Sequence, residues 1–495
     1  MPSRHLSLAS TSSDEVRAAL AALRAELGLP AMFSLAVNDE ARAAAARDVT
    51  RDRQDRRDVD FVTIDPPGSM DLDQAVHVAS SGDGYIVRYA IADVAAFVTP
   101  GSRLDREVHR RGTTVYGPDT RTPLHPPVLS EGAASLLPGE DRPAALWTIG
   151  LDAHGELTSA TVARALVRSR ARLTYGEAQS ALDDGTAPEP LQLLADVGRL
   201  RQARERDRGG VSLDVPEQEV VERPDGSFAL AFRRTLPVEG WNAQISLLTG
   251  IAAARMMREA GVGIFRTLPP ADPRDLARLR RTAVALGIDW PDDLPYAELL
   301  HRLESRRPTH AAFLNEATTL FRGAGYLAFG VPGEDGTTVR LPDGASAAEG
   351  GARHAAIAAE YAHVTAPLRR LVDRYGIEVC LAHSGGRDVP RWVADALPGL
   401  PRTMSTTGRV ASSFERSCVD VVEAALLGAR VGQTFDAVVV EVEERNGRPA
   451  TRGEVVLRDP AVRARVDGEN LPLGARTRVT LAEASVPERR VRFRL

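Results

Sequence analysis

The chain of 495 residues contains no lysine, so all 62 of its basic residues are arginine. Each cationic contact must then come from a guanidinium, a permanently charged planar fork, or from backbone amides. Cysteine is almost as rare: Cys380 and Cys418 form neither a metal-binding spacing nor a disulfide framework. A reducing, cytoplasmic setting is the expectation. Aromatic residues make up only 5%, which leaves few rings for stacking. No stretch approaches the ~18 apolar residues that span a bilayer, and the N-terminus has no unbroken apolar core of the signal-peptide kind. No membrane partner is expected. The net charge of −5 excludes a chain that is basic overall, although a groove needs only a local basic lining.

The length exceeds that at which a single core stops growing, so more than one domain is expected. Ser12 with Glu15 has the spacing of a capping box, and helical periodicity follows over residues 16–27 until Gly28-Leu29-Pro30. A second helical run covers 38–47, so residues 1–50 read as a helical N-terminal segment. Residues 58–165 read mainly as strand and turn, with a hairpin through 80–84. From Tyr175 onward helices dominate, at 191–208, 243–260, 273–286, 296–306, 310–321, 355–361, 367–381 and 413–429. Residues 333–351, rich in Gly, Asp, Ser and Thr, read as an exposed connection. After Gly432 the pattern changes to five short strands, at 435–442, 454–457, 462–466, 476–481 and 490–495. That spacing suggests a small OB-type barrel over 431–495, with Phe435 and Phe493 as its only aromatics. The fold class is α/β (α+β), with a core domain over 51–430.

The chemistry concentrates in Asp65-Pro66-Pro67-Gly68-Ser69-Met70-Asp71-Leu72-Asp73-Gln74, three carboxylates around a rigid turn. Residues 60–64 are β-branched and aromatic, so Asp65 stands where a strand runs into that turn. Asp71 and Asp73, two apart in extended chain, face the same side. Hard cations such as Mg²⁺ are held by a few carboxylates and leave positions for water and phosphate oxygens. The competing reading is a solvated turn whose Asp side chains bond their own backbone. A helix-loop-helix calcium site is excluded, because the fifth, sixth and twelfth positions counted from Asp71 are Ala75, Val76 and Gly82.

Around this turn the chain resembles the catalytic RNB domain of the ribonuclease II/ribonuclease R superfamily. The resemblance is carried in order by Asp65, Asp71 and Asp73, by Ile91-Ala92-Asp93, by Arg111-Gly112-Thr113-Thr114-Val115-Tyr116 and by Arg172-Leu173-Thr174-Tyr175. It continues through Tyr361-Ala362-His363-Val364-Thr365-Ala366-Pro367-Leu368-Arg369-Arg370 and through Glu415-Arg416 with Asp420. It implies a hydrolytic exoribonuclease that shortens single-stranded RNA from the 3′ end and releases nucleoside 5′-monophosphates. Mg²⁺ is the implied cofactor, with Mn²⁺ as a substitute, and no obligatory protein partner is implied. By the same resemblance Asp65, Asp71, Asp73 and Gln74 would hold metal. Asp73, Arg369, Arg370 and Glu415 would serve catalysis, and Tyr116, Tyr175, Leu213 and Arg369 would bind substrate. Tyr116 would stack on the terminal base, and Tyr175 would favour ribose over deoxyribose. The first fifty residues are too short for the paired cold-shock barrels of the longer relatives.

This sequence also departs from the family pattern. Gln74 stands where a fourth acid is usual and Leu213 where a second stacking Phe is usual. Trp241-Asn242-Ala243-Gln244 lacks the acid that pairs with the ribose-selecting tyrosine, and Ala366 and Leu371 replace a Ser and a Tyr. An alternative reading follows from these changes: an RNA-binding member of the same family with weakened chemistry.

Overall fold

The computed structural model describes the chain except residues 1–9, 31, 214–216, 223–227, 234, 306, 334–335, 342–351, 444–450 and 458–460. Most of the connection expected over 333–351 lies outside the described residues, as does the side chain of Ser12. Helix α1 (Ser10–Glu26) begins before Ser12, so that residue is inside the helix rather than its cap. Helix α2 (Leu35–Ala45) starts at Ser34, whose hydroxyl accepts from the Val37 amide.

The core domain is assembled along one long strand, β8 (Leu157–Thr174), 18 residues in length. The strand-and-turn reading ended at Ala165, whereas the strand runs on to Thr174. Arginines at 164, 168, 170 and 172 occupy one face while Val167 and Ser169 are buried on the other, the two-residue period of a half-covered strand. The sheet order is β1 (Gln54–Asp55), β8, β2 (Phe61–Asp65), β3 (Gln74–Ser81), β4 (Gly84–Ala92) and β7 (Asp141–Leu151), and β7 pairs back onto β8. The N-terminal part of β8 lies antiparallel to β7, and its C-terminal part lies parallel to β2, pairing Asp65 with Thr174. That parallel pairing makes both strands end at one edge. Helix α3 (Arg103–Arg111), absent from the strand-and-turn reading, and the small hairpin of β5 (Val115–Tyr116) with β6 (Arg121–Thr122) are inserted between β4 and β7.

Beyond β8 come α4 (Tyr175–Asp183), α5 (Glu189–Asp207), the hairpin of β9 (Glu217–Glu222) with β10 (Phe228–Arg233), and α6 (Pro237–Ala260). The pair β11 (Gly263–Thr267) and β12 (Gly325–Phe329) brackets α7 (Pro273–Ala285), α8 (Tyr296–Arg302) and α9 (Pro308–Ala317). Residues 355–361 are not the expected helix. They form a turn, with Ala358 at φ 55°, and the short pair β13 (Arg353–His354) with β14 (Ala359–Glu360). The reason is tertiary: the chain is laid against α6, where a Cβ on Gly250 would lie 2.0 Å from the Tyr361 ring. Such packing overrides the helix propensity of an alanine-rich stretch. Helix α10 (Leu371–Ser384) likewise starts four residues after Pro367, because the residues before it are committed to the site below. Helices α11 (Arg391–Ala396) and α12 (Leu400–Leu427) follow.

The C-terminal strands β15 (Thr434–Val442), β16 (Arg452–Leu457), β17 (Val462–Asp467), β18 (Arg476–Ser485) and β19 (Arg490–Arg494) close in the order β15-β16-β17-β19-β18. A five-stranded barrel with β17 and β19 parallel is the OB arrangement. Its interior, with Phe435 and Phe493 in edge-to-face contact, continues into Phe414, Val421 and Val422 of α12 and Val16, Leu20 and Leu23 of α1. Among the described residues no helix is long and apolar enough to cross a membrane.

Candidate active site

The parallel ends of β2 and β8 deliver Asp65 and Tyr175 to the same edge, and the turn after β2 brings Asp71 and Asp73 back towards it. The backbone of that turn is held from below. Leu72 is fully buried, its amide bonds the Ser135 hydroxyl at 3.0 Å, and that hydroxyl donates to the Met70 carbonyl at 2.6 Å. With Leu72 pointing into the core, Asp71 and Asp73 point to the opposite side, as the alternation of extended chain requires.

The three carboxylates are in unequal states. The Asp65 carboxylate makes no hydrogen bond or ion pair among the described residues, and burial pushes it up to about 6, with Arg369 opposing the rise and Asp71 adding to it. Asp73 is 5% exposed. One of its oxygens accepts from the Leu368 amide at 2.7 Å, and the other faces Arg369 Nε at 3.8 Å. Burial raises its carboxyl well above the usual range despite both contacts. Asp71 is engaged: Arg121 donates to it at 2.6 Å and the Tyr116 hydroxyl at 3.2 Å. The other arm of Arg121 reaches Glu131 at 2.6 Å. With Asp71 so turned, no three His, Cys, Asp or Glu side chains among the described residues are gathered tightly enough to cage an ion.

Gln74 is not aimed as a fourth ligand. Its amide nitrogen donates to the Thr365 carbonyl at 2.6 Å, and its carbonyl oxygen accepts from the Tyr89 hydroxyl at 2.6 Å. The assignment is forced, because the Thr365 carbonyl can only accept and so demands the nitrogen. Tyr89 also meets Ser246 at 2.8 Å. Gln74 therefore ties β3, β4 and α6 to the segment before Arg369, a bridge whose remote partners no local motif reveals.

The adjacent arginines have different duties. Arg370 is held in a fork by Asp373, at 2.8 Å through both Nε and Nη2. Burial works against its charge, and Asp373 more than offsets that, leaving the guanidinium more firmly protonated than usual. Asp373 also accepts from the Ala366 amide at 2.7 Å, so Arg370 and Asp373 lock the loop rather than face the acids. Arg369 stays exposed on the acid side. Its carbonyl accepts from the Thr113 hydroxyl at 2.9 Å and the Thr114 amide at 3.0 Å. Gly112 permits this approach: it has φ 65°, and a Cβ there would meet Thr407 Oγ1 at 2.4 Å.

Tyr116 is 41% exposed, with its hydroxyl end sunk beside Asp71; that burial, with Asp71 adding, raises its proton affinity. The ring is left accessible. Tyr175 opens α4 behind a reciprocal cap of Thr174 and Glu177. Burial raises its hydroxyl, the Asp65 and Glu239 charges add to this, and a hydrogen bond with Asn242 opposes it. An amide thus fills the place where an acid was sought. Two expected residues are not brought to the acids. Leu213, half-buried, packs against the α7–α9 cluster that holds Leu279, Leu286 and Phe313. Glu415 is exposed on α12, grouped with Arg24, Asp119 and Asp420 around Cys418. Partial loss of hydration raises its carboxyl, with Arg416 pulling it down. Sequence reasoning missed Arg121, Ser135, Tyr89, Ser246 and Asp373. Of these, only Asp373 had a usable signal, its i+3 spacing from Arg370.

The family model described as "RNB domain" matches residues 53–376, and the one described as "RNase II-type exonuclease C-terminal S1 domain" matches 433–495. The chain belongs to the RNB-domain family. The chain is 26% identical over 410 residues to ribonuclease R of Aquifex aeolicus, covering 79% of this chain and 55% of that protein. The chain thus spans about half the length of that relative. Among solved structures, the apo form of Mycoplasma genitalium RNase R has a TM-score of 0.83 at 20% identity, covering 97% of this chain and 78% of that one. The same RNase R in complex with ribose-methylated single-stranded RNA has a TM-score of 0.82 at 19% identity, covering 97% and 78%. At these identities the structural likeness establishes the fold.

Proposed function

We propose that this RNB chain hydrolyses single-stranded RNA from the 3′ end, releasing nucleoside 5′-monophosphates with Mg²⁺, or Mn²⁺ in its place. One observation carries the reading: an under-partnered pair of carboxylates, half-buried Asp65 and buried Asp73, beside an exposed arginine and an accessible tyrosine ring, in a chain of this family. The donor set fits a hard divalent ion, since it is all oxygen and buried anions without a partner are stabilised by a cation. Asp65 and Asp73 would hold it, joined by Asp71 once Arg121 releases it to Glu131. When bound, such an ion supplies charge at the scissile phosphate and a water acidic enough to attack it.

The protein groups do the rest. Arg369 places a permanent positive charge, free to swing, where negative charge builds on phosphate oxygens. Tyr116 offers its ring to the terminal base, a contact tolerant of sequence. Tyr175, within reach of the Asp65 and Glu239 charges and of Asn242, would read the sugar. Arg370 and Gln74 act at a distance, fixing the loop that aims Arg369. On the barrel, a cleft lined by Arg430, Arg476 and Arg478 gives cations for the backbone of longer RNA.

The second reading, RNA binding with weakened chemistry, rests on Gln74 being locked away from the acids and on Leu213 being packed elsewhere, and the match to the RNB family and its ribonuclease R relatives does not favour it. A 5′-labelled RNA incubated with Mg²⁺ or with EDTA separates the two on a denaturing gel. A ladder of shortened products only with Mg²⁺ is expected. A shift on a native gel without any cleavage would establish the binder instead.

A further inference from the structure

The hairpin of β5 and β6 carries two groups that touch Asp71, Tyr116 and Arg121, and its far end is gripped by helix α1. In the last turn of α1, Arg24 sets both amino groups on the Asp119 carboxylate, with Nη1 to Oδ2 at 3.0 Å, and Nη2 also donates to the Thr120 carbonyl at 3.2 Å. The pair is largely shielded, with side-chain exposures of 16% and 14%. From above, the Arg24 guanidinium lies 5.1 Å from the Phe414 ring centroid of α12. The turn closes on this arginine so tightly that a Cβ at Gly117 would stand 2.7 Å from Arg24 Nη2.

Helix α1 is itself fixed. Val16 and Leu20 are fully buried and Leu23 is 2% exposed, all in the core shared with α12 and the barrel. At its C-terminus Glu26 takes both arms of Arg489, from the turn before β19, at 3.0 and 3.1 Å. A continuous set of contacts thus runs from the barrel through α1 to the hairpin, and through Tyr116 and Arg121 to Asp71.

We propose that helix α1 is a strut for this hairpin, with Arg24 as a positioning residue that sets where Tyr116 receives the terminal nucleotide. This rests on the reading of Tyr116 as the stacking residue. A bidentate guanidinium–carboxylate pair fixes angle as well as distance, so neither lysine nor a neutral residue reproduces it. Without it the 117–120 turn is free to shift, and Tyr116 moves relative to the acids with every Asp left in place.

The test uses the full chain and an RNA oligonucleotide ending in 2-aminopurine, bound in EDTA so that nothing is cleaved. Stacking on Tyr116 quenches the probe. Arg24→Ala is expected to lose most of that quenching and to raise KM about tenfold, the worth of one stacked base, with kcat changed less than about threefold. Arg24→Lys should fall between, and it retains the charge if the alanine variant fails to fold. Asp119→Ala should match Arg24→Ala, with the double variant no worse than either, as expected of one shared interaction. Wild-type quenching in a folded Arg24→Ala or Arg24→Lys protein, or additive losses in the double variant, would overturn the strut. The Tyr116→Ala protein separates the two ideas: quenching that survives it removes the stacking reading, and the strut's purpose with it.

Discussion

Two acidic clusters in this molecule invite comparison, because burial raises carboxyl groups in both and yet they are finished differently. At the junction of α9 with the barrel, Glu441 and Glu454 meet Arg463, whose Nε donates to Glu454 at 2.6 Å, whose Nη2 lies 3.4 Å from Glu441, and whose Nη1 reaches Asn315, while Glu316 beside them faces Arg278 at 3.7 Å. The Arg463 backbone amide is taken as well, by Glu423 at 2.9 Å. Glu441 and Glu454 share one guanidinium there, and Glu316 has that of Arg278 within reach, the signature of a structural joint. At the end of β2, Asp65 has no such partner and Asp73 has one backbone amide and a distant guanidinium. Buried charge left unanswered is destabilising unless a ligand answers it, and on that difference we propose the β2 cluster as a site and the α9 cluster as an adhesive.

The sharpest way to break the comparison is Asp73→Asn. Hydrolysis should fall on the order of a hundredfold or more, while affinity for single-stranded RNA in EDTA stays within about threefold, since grip is spread over many contacts. The matching change in the other cluster, Glu316→Gln, should leave turnover unaltered. Measured single-turnover rates that respond equally to both changes would erase the distinction.

A smaller effect concerns Gln74. Replacing it with Asp adds a carboxylate at the family's usual position, but the shorter side chain has no donor for the Thr365 carbonyl and sets a charge beside the buried Tyr89 hydroxyl. We expect Gln74→Asp to lower the melting temperature, with a loss of about 1–3 kcal/mol for the unsatisfied carbonyl, and to leave the Mg²⁺ midpoint for cleavage no better than wild type. A lower midpoint would show that position 74 belongs to the metal shell after all.

The smallest effect is a pH dependence at the joint. Burial, with the Glu441 charge adding and Arg278 and Arg463 opposing, pushes Glu316 up to about 7 from an ordinary 4.5. The folded state therefore holds this proton more tightly than the unfolded chain, so its share of stability is present below pH 4.5 and is lost as pH rises through 7. The melting temperature should drop by roughly 2–4 °C between pH 5 and 8 from this group, and Glu316→Gln should flatten that part of the profile. An identical slope in the variant would assign the effect to other groups.

How much of this could be read from the chain depended on whether partners were local. The strand into Asp65, the alternation of Asp71 and Asp73 about Leu72, and the five barrel strands are short-range patterns and were legible. The 18-residue β8 was cut short because its arginines interrupt the apolar run, although their period of two is the strand signal itself. Which of two neighbouring arginines faces the acids was decided by Asp373 capturing Arg370. Gln74 looked like a ligand because its neighbours in sequence are acids, while its partners in space are Tyr89, Ser246 and Thr365. Residues 355–361 failed as a helix because of a close approach to Gly250, which composition cannot show.

The central claim is that the β2 cluster, and not the α9–barrel cluster, is built for a divalent ion. Titrating Mn²⁺ into RNA-free protein and following free Mn²⁺ by electron paramagnetic resonance tests it without relying on turnover. The account predicts saturable binding that is lost in Asp73→Asn and kept in Glu316→Gln. Binding that survives Asp73→Asn, or that disappears with Glu316→Gln, would contradict it.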